Sequence, residues 1–81
     1  MASSAMLERA ILRLLFERGP GETICPSEAA RAVGGAEWES LMCPVRAAAA
    51  LLVREGKIDV TQKGHVVDLS EVKGPIRLRL R

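Results

Sequence analysis

Few residues in this 81-residue sequence can do chemistry, and arginine dominates them. Ile76-Arg77-Leu78-Arg79-Leu80-Arg81 alternates strictly, which sets three aliphatic side chains on one face of a strand and three guanidiniums on the other. Arg77, Arg79 and Arg81 in that arrangement suit an anionic partner: three phosphate contacts on duplex DNA give a log–log salt slope of about −3, at about −0.9 per contact. The other reading of the stripe is an edge strand whose charges prevent sheet-to-sheet pairing. A second set lies in residues 44–55. On a helical wheel Val45, Ala48, Ala49 and Leu52 face inward, leaving Arg46, Ala47, Ala50 and Arg54 outward. Two arginines can bond guanine edges or phosphates, and small alanines let a helix approach a groove or touch thymine methyls. No outward Asn, Gln, Ser or Thr is there to read bases, and the same pattern also serves a helix that is merely solvated. Lys63 and His65, with Gln62, offer one or two phosphate contacts at a turn, against repulsion from nearby Asp59 and Asp68.

Catalysis and metal binding have less material. His65 falls on a predicted turn, far along the chain from Cys25 and Cys43. Each cysteine precedes a proline at a predicted helix start, where the helix dipole can lower a thiol pKa; a small, buried, inert thiol is the plainer role. Zinc prefers four ligands in tight pairs, which two isolated cysteines and one histidine do not supply. No metal, no cofactor and no enzymatic activity are expected. The cysteines are expected as free thiols of a cytoplasmic protein. The apolar run 47–53, bounded by Arg46 and Arg54, is far shorter than the ~20 residues that cross a bilayer. Glu8, Arg9 and Arg13 interrupt any secretory apolar segment, so no membrane partner is expected.

The positioning elements must be small. At 8.8 kDa the chain has room for one domain, 1–81, with 48% hydrophobic and 27% charged residues, a composition that folds. Eleven Ala, ten Leu and seven Val stand against one Phe, one Trp and no Tyr. Phe16 and Trp38 cannot stack several bases, which excludes the usual grip on single strands. The net charge of +2 hides a polarised chain: residues 1–40 hold four Lys/Arg against six Asp/Glu, and residues 41–81 hold eight against four.

Leu7, Ala10, Ile11, Leu14 and Leu15 recur at helical spacing over 4–18, with Ser4 as N-cap and Gly19-Pro20-Gly21 as the stop. Leu12 and Phe16 widen the apolar stripe. Residues 22–25 read as a brief strand or an extended link. Pro26 opens a second helix over 26–33, with Glu28 in its first turn and Gly34-Gly35 closing it. Residues 36–42 are helical in composition, and Trp38, Leu41 and Met42 can share one face. Pro44 then forces either a break, with a third helix over 44–55, or one kinked helix; the break is the expectation. After Gly56 the period becomes two. Ile58 and Val60 lead to a turn at 62–64, and residues 65–69 return. A two-residue loop at Lys63-Gly64 sets Val60 beside Val67 and Ile58 beside Leu69 but forces Lys63 to positive φ; a three-residue loop avoids that, and both registers stay open. Residues 74–81 form the basic terminal strand.

Helix, short strand, helix, helix and hairpin is the order of a winged helix-turn-helix, an α+β, mostly helical fold with three main helices, a wing and a short terminal strand. Cys25-Pro26-Ser27-Glu28-Ala29-Ala30-Arg31, Trp38 with Leu41-Met42, Pro44-Val45-Arg46, the run 56–64 and Gly74-Pro75-Ile76-Arg77 resemble an uncharacterised bacterial family of small winged-helix-like proteins, classed as a domain of unknown function. The resemblance implies the fold and a bacterial cytoplasmic origin, and no site residues. Together these features predict weak duplex-DNA binding through the third helix, the wing and the terminal arginines. The competing reading is a protein-interaction module or homodimer, using Leu12, Phe16, Trp38 and Leu51 as an exposed patch; if these complete the core instead, Trp38 is its main anchor.

Overall fold

The computed structural model describes residues 3–81 as an α+β domain. Its elements are α1 (Ser4–Arg18), β1 (Thr23–Ile24), α2 (Pro26–Gly34), a 3-10 segment (Gly35–Leu41), α3 (Met42–Arg54), β2 (Ile58–Gln62), β3 (His65–Val66) and β4 (Arg77–Leu80). The four strands form one antiparallel sheet in the order β1-β4-β2-β3. Among the described residues no helix is long and apolar enough to cross a membrane.

Local chemistry fixes the helix ends. Ser3, not Ser4, caps α1: its hydroxyl accepts the Met6 amide at 3.2 Å, while Ser4 turns inside the helix and donates to Glu8. Gly19, at φ +98, ends α1 and donates its amide to the Leu15 carbonyl. At α2, Pro26 occupies the first position and the Glu28 carboxylate reaches back to accept the Cys25 amide at 2.7 Å.

The break before α3 is present, two residues earlier than Pro44 alone suggests. Residues 36–41 do not form an α-helix of their own: Gly35 takes φ +55 and Glu37 departs from helical angles, so the chain runs as a tighter 3-10 segment to Leu41. Helix α3 then begins at Met42, and Pro44 falls in its first turn, where a missing N–H costs no intrahelical bond. Arg31 lies over the Trp38 ring at 4.5 Å from its centroid, tying α2 to this segment.

The core joins Leu7, Ile11 and Leu15 of α1, Ala29 and Ala30 of α2, and Val45, Ala48, Ala49 and Leu52 of α3 to Ile24, Ile58, Val60, Ile76 and Leu78 of the sheet side. Short alanines on α2 and α3 let three helices close over a small sheet. Trp38 is not the anchor; it is half-buried with Leu41 and Met42 at the core margin. Phe16, expected on the apolar stripe, is 72% exposed, and Leu12 alone of that pair packs against the core.

The strands settle the open turn and depart from the sequence reading elsewhere. The turn takes the two-residue form: Gln62 pairs His65, with Lys63 at φ +53 and Gly64 at φ +83, the double positive φ of a hairpin whose twist matches its strands. Val67 does reach Val60 through its amide at 2.9 Å, but the returning strand covers only His65–Val66 rather than 65–69. The β2–β3 pairing ends at Thr61 and Val66, so Leu69 does not pair Ile58, whose partner is Leu80 of β4. The terminal strand is not an edge: β4 lies between β1 and β2, because its alternating aliphatics complete the buried face that both neighbours offer. Residues 63–76 are therefore one excursion between adjacent strands. It is tied at its base by Gln62 Nε2, which donates to the Lys73 and Pro75 carbonyls at 2.7 and 3.1 Å.

Candidate nucleic-acid interface

The inward positions of α3 are those its periodicity predicts: Val45, Ala48, Ala49 and Leu52 are all buried. The opposite side carries Arg46, Ala47, Ala50 and Arg54, with Ala47 and Arg54 exposed and the other two half-buried. Arg46, Ala50 and Arg54 follow at four-residue spacing, so they make one stripe whose two arginine Cα positions lie about 12 Å apart along the axis, at 1.5 Å per residue, across an alanine. Neither arginine is in an ion pair among the described residues. Glu37 and Glu39, both exposed, precede α3 on the 3-10 segment and place negative charge beside its start.

Lys63 and His65 sit exposed at the β2–β3 turn. The excursion that carries them also carries Asp68, Glu71 and Lys73, so acids and bases are interspersed. Asp68 is occupied locally: its Oδ1 accepts the Ser70 amide and hydroxyl, which holds its carboxyl below the usual range.

The terminal arginines lie elsewhere. Strand partners share a face, so Ile24, Leu78 and Val60 form one inward row, and Thr23, Arg79 and Asp59 the matching outward row. Arg77, Arg79 and Arg81 therefore project from the side of the sheet opposite the helices and do not join Arg46 and Arg54 in one surface. Asp59 is not part of the turn that carries Lys63. Its side chain, 14% exposed, receives Arg81 Nε and Nη2 at 3.0 and 2.9 Å and Arg79 Nη2 at 3.4 Å. The hydrogen bonds from Arg81, against the opposing effect of burial and with Arg79 assisting, hold the Asp59 carboxyl below its ordinary range. Arg77 donates to the Thr23 hydroxyl at 2.9 Å and to the Thr23 carbonyl at 3.3 Å.

Sequence reasoning missed a second pair at the β1 edge. Arg18 forms a two-pronged ion pair with Glu28 and also donates to the Thr23 carbonyl at 3.0 Å. Arg18 is the largest cause, burial opposing and the Cys25 amide and Arg77 assisting, by which the Glu28 carboxyl is held low. The alternation of 57–61 carried a signal for the Asp59 contact: Asp59 lies on the polar side of its strand as the arginines lie on theirs, and antiparallel pairing brings polar sides together. For Arg18 and Glu28 no local pattern pointed to the pairing.

Cys25 is half-buried, with its Sγ accepting the Ser27 hydroxyl at 3.1 Å, and Cys43 is exposed; both are free thiols. Among the described residues no three His, Cys, Asp or Glu side chains gather as metal ligands.

Compared with known families, residues 4–81 match the model of a family described as Protein of unknown function (DUF3253). Among curated proteins none matches.

Proposed function

The chain belongs to the DUF3253 family, whose description states no activity, and we propose from its geometry a winged-helix domain that binds duplex DNA weakly through α3 and the excursion 63–76. The observation that carries this is the unpaired Arg46–Ala50–Arg54 stripe on the solvent face of α3. Further support comes from element order: α2, a tight segment and α3 stand as a helix-turn-helix, and the link between β2 and β4 stands where a wing would. Small Ala47 and Ala50 leave the guanidiniums free to reach phosphates or guanine edges. Lys63 and His65 supply the second contact region. The terminal arginines are not assigned to this interface, since they face away from the helical layer. With so few contacts, and Glu37 and Glu39 beside the start of α3, binding is electrostatic and weakly selective. The domain is a binding module, without a catalytic role.

A salt titration of a labelled random duplex tests this. Binding is expected in the micromolar range at low salt, with a log–log slope of about −2 to −3 that falls by about 1.8 in Arg46→Gln/Arg54→Gln, at about −0.9 per phosphate contact. Glu37→Gln/Glu39→Gln should tighten binding. Absence of saturation at low salt, or an unchanged slope in the arginine variant, would sink the proposal.

A second reading, docking to a protein or a second copy without DNA, is favoured by Phe16 at 72% and Leu51 at 40% exposure. It predicts a salt-insensitive dimer or complex in sedimentation.

A further inference from the structure

The outer face of the sheet carries the arginines that α3-centred binding leaves unused. Arg77 and Arg79 on β4, the central strand of β1-β4-β2, and Arg81 directly after it repeat every two residues, about 7 Å at the rise of an extended chain. Arg18 joins them at the β1 edge through the shared Thr23 carbonyl. Four guanidiniums stand with two carboxylates, Asp59 and Glu28, and Glu22 adds negative charge near Arg18, which still leaves the face basic. Asp59 and Glu28, with Thr23, also hold the arginines in place. Each guanidinium has five N–H donors and spends one (Arg79) to three (Arg18) on the protein contacts given above. The ordering entropy of long side chains is thus largely spent before a ligand arrives. Beyond Arg81 the surface dips into a shallow hollow of about 310 Å³ lined by Phe16, Gly19, Pro20, Gly21, Leu80 and Arg81. The exposed Phe16 ring gives this hollow an apolar wall.

We propose that this face docks an extended acidic segment of a protein partner, with carboxylates on Arg77 and Arg79 and an apolar side chain in the hollow between Phe16 and Arg81. An extended peptide shows every second side chain on one side, at the repeat of the arginines on β4. Carboxylates at alternate residues therefore meet successive guanidiniums, in the forked geometry that arginine offers. A nucleic-acid backbone fits less well. Its charge recurs at every phosphate and cannot avoid Asp59 and Glu28, whereas a peptide can set neutral residues opposite them. The hollow, walled by Phe16, Pro20 and Leu80 beside Arg81, likewise matches an apolar side chain. The chain also lacks the aromatic platforms that single-stranded bases need.

The test is fluorescence anisotropy of the full chain with a labelled synthetic peptide of alternating Glu and Thr that ends in Phe. Saturable binding is expected at low salt, weakening as salt rises, with a loss of about ten-fold in Arg77→Gln/Arg79→Gln, since charged contacts of this kind are screened and side-chain specific. Phe16→Ser should weaken binding by about three-fold through the lost apolar contact. Arg46→Gln/Arg54→Gln should leave it unchanged, which separates this face from the duplex-binding surface. Arg77→Lys/Arg79→Lys keeps the charge and guards against a misfolded glutamine variant, and it should bind measurably but less tightly because an ammonium cannot form the fork. Far-ultraviolet circular dichroism verifies that each variant is folded. The proposal is overturned if the peptide does not saturate at low salt, or if folded Arg77→Gln/Arg79→Gln binds it unchanged. Displacement of the peptide by a random duplex whose own binding is lost in that variant would also overturn it, by making the face a nucleic-acid surface.

Discussion

Arg46 and Arg54 on α3 and Arg79 and Arg81 at the sheet are the same side chain in opposite electrostatic settings. The α3 pair has no carboxylate partner among the described residues, while the other two share Asp59 at 2.9–3.4 Å. An unpaired exposed guanidinium acts at a distance, mobile and strongly screened by salt, which suits loose attraction to a phosphate backbone. A guanidinium held by a carboxylate has lost part of its field but gained a fixed direction, which suits recognition of a group placed to match it. A count of arginines therefore misjudges what each surface offers. Over one small core the two faces stand back to back, and each depends on the other's packing.

That dependence is open to the hardest test. Leu52 is fully buried on α3 and belongs to the core that the sheet completes. Leu52→Ala should cost about 2–5 kcal/mol of stability, measured by urea unfolding, and both faces should be lost in one transition. Separate transitions for helical and sheet signals would break the view of two faces on one core.

A smaller effect follows from the Asp59 pairing. The carboxyl is held below its ordinary 3.8 in the folded chain, so the stability it contributes is fully present above that value. It is lost as pH falls from about 3.8 through the lower folded value. Glu28, lowered from 4.5, acts with the same sign and begins its loss slightly higher. Asp59→Asn should lower the melting temperature at neutral pH and flatten its decline in acid. A variant that declined with acid as steeply as the parent would show that Asp59 does not hold the arginines energetically.

The smallest effect lies at the turn. Lys63 holds φ +53 without the freedom of glycine, so Lys63→Asn should stabilise by about 1 kcal/mol or less and raise the melting temperature by a few degrees. Duplex binding should weaken slightly, because one charge is lost from the excursion, while the acidic peptide should bind as before. A loss of peptide binding would mean that the two faces are not independent.

Much of the helical layer was legible along the chain. The α3 periodicity identified Val45, Ala48, Ala49 and Leu52 as inward, and Gly19 and Pro26 marked helix boundaries, because these features depend on neighbours within a turn or two. Phe16 failed that logic. It lies on a widened apolar stripe, yet the sequence does not say how far round a helix its neighbours reach, and the packing of α1 leaves it in solvent. The candidate site was half legible: the outward residues of α3 were readable, but whether its arginines shared a surface with those of β4 was not.

What the sequence by itself determined was periodic and local: an alternating basic strand, three amphipathic helices, a Gly-Pro-Gly stop and a turn within 62–64. Each follows from backbone geometry that repeats over two to four residues. Only the tertiary structure decided that the basic strand lies in the middle of the sheet, that its arginines meet Asp59, and that they point away from α3. The place of β4 joins segments sixteen to fifty-six residues apart, and it is selected by which arrangement buries Ile24, Ile58, Val60 and Leu78 together. That selection is a property of the whole core, so it leaves no mark on any short stretch of chain.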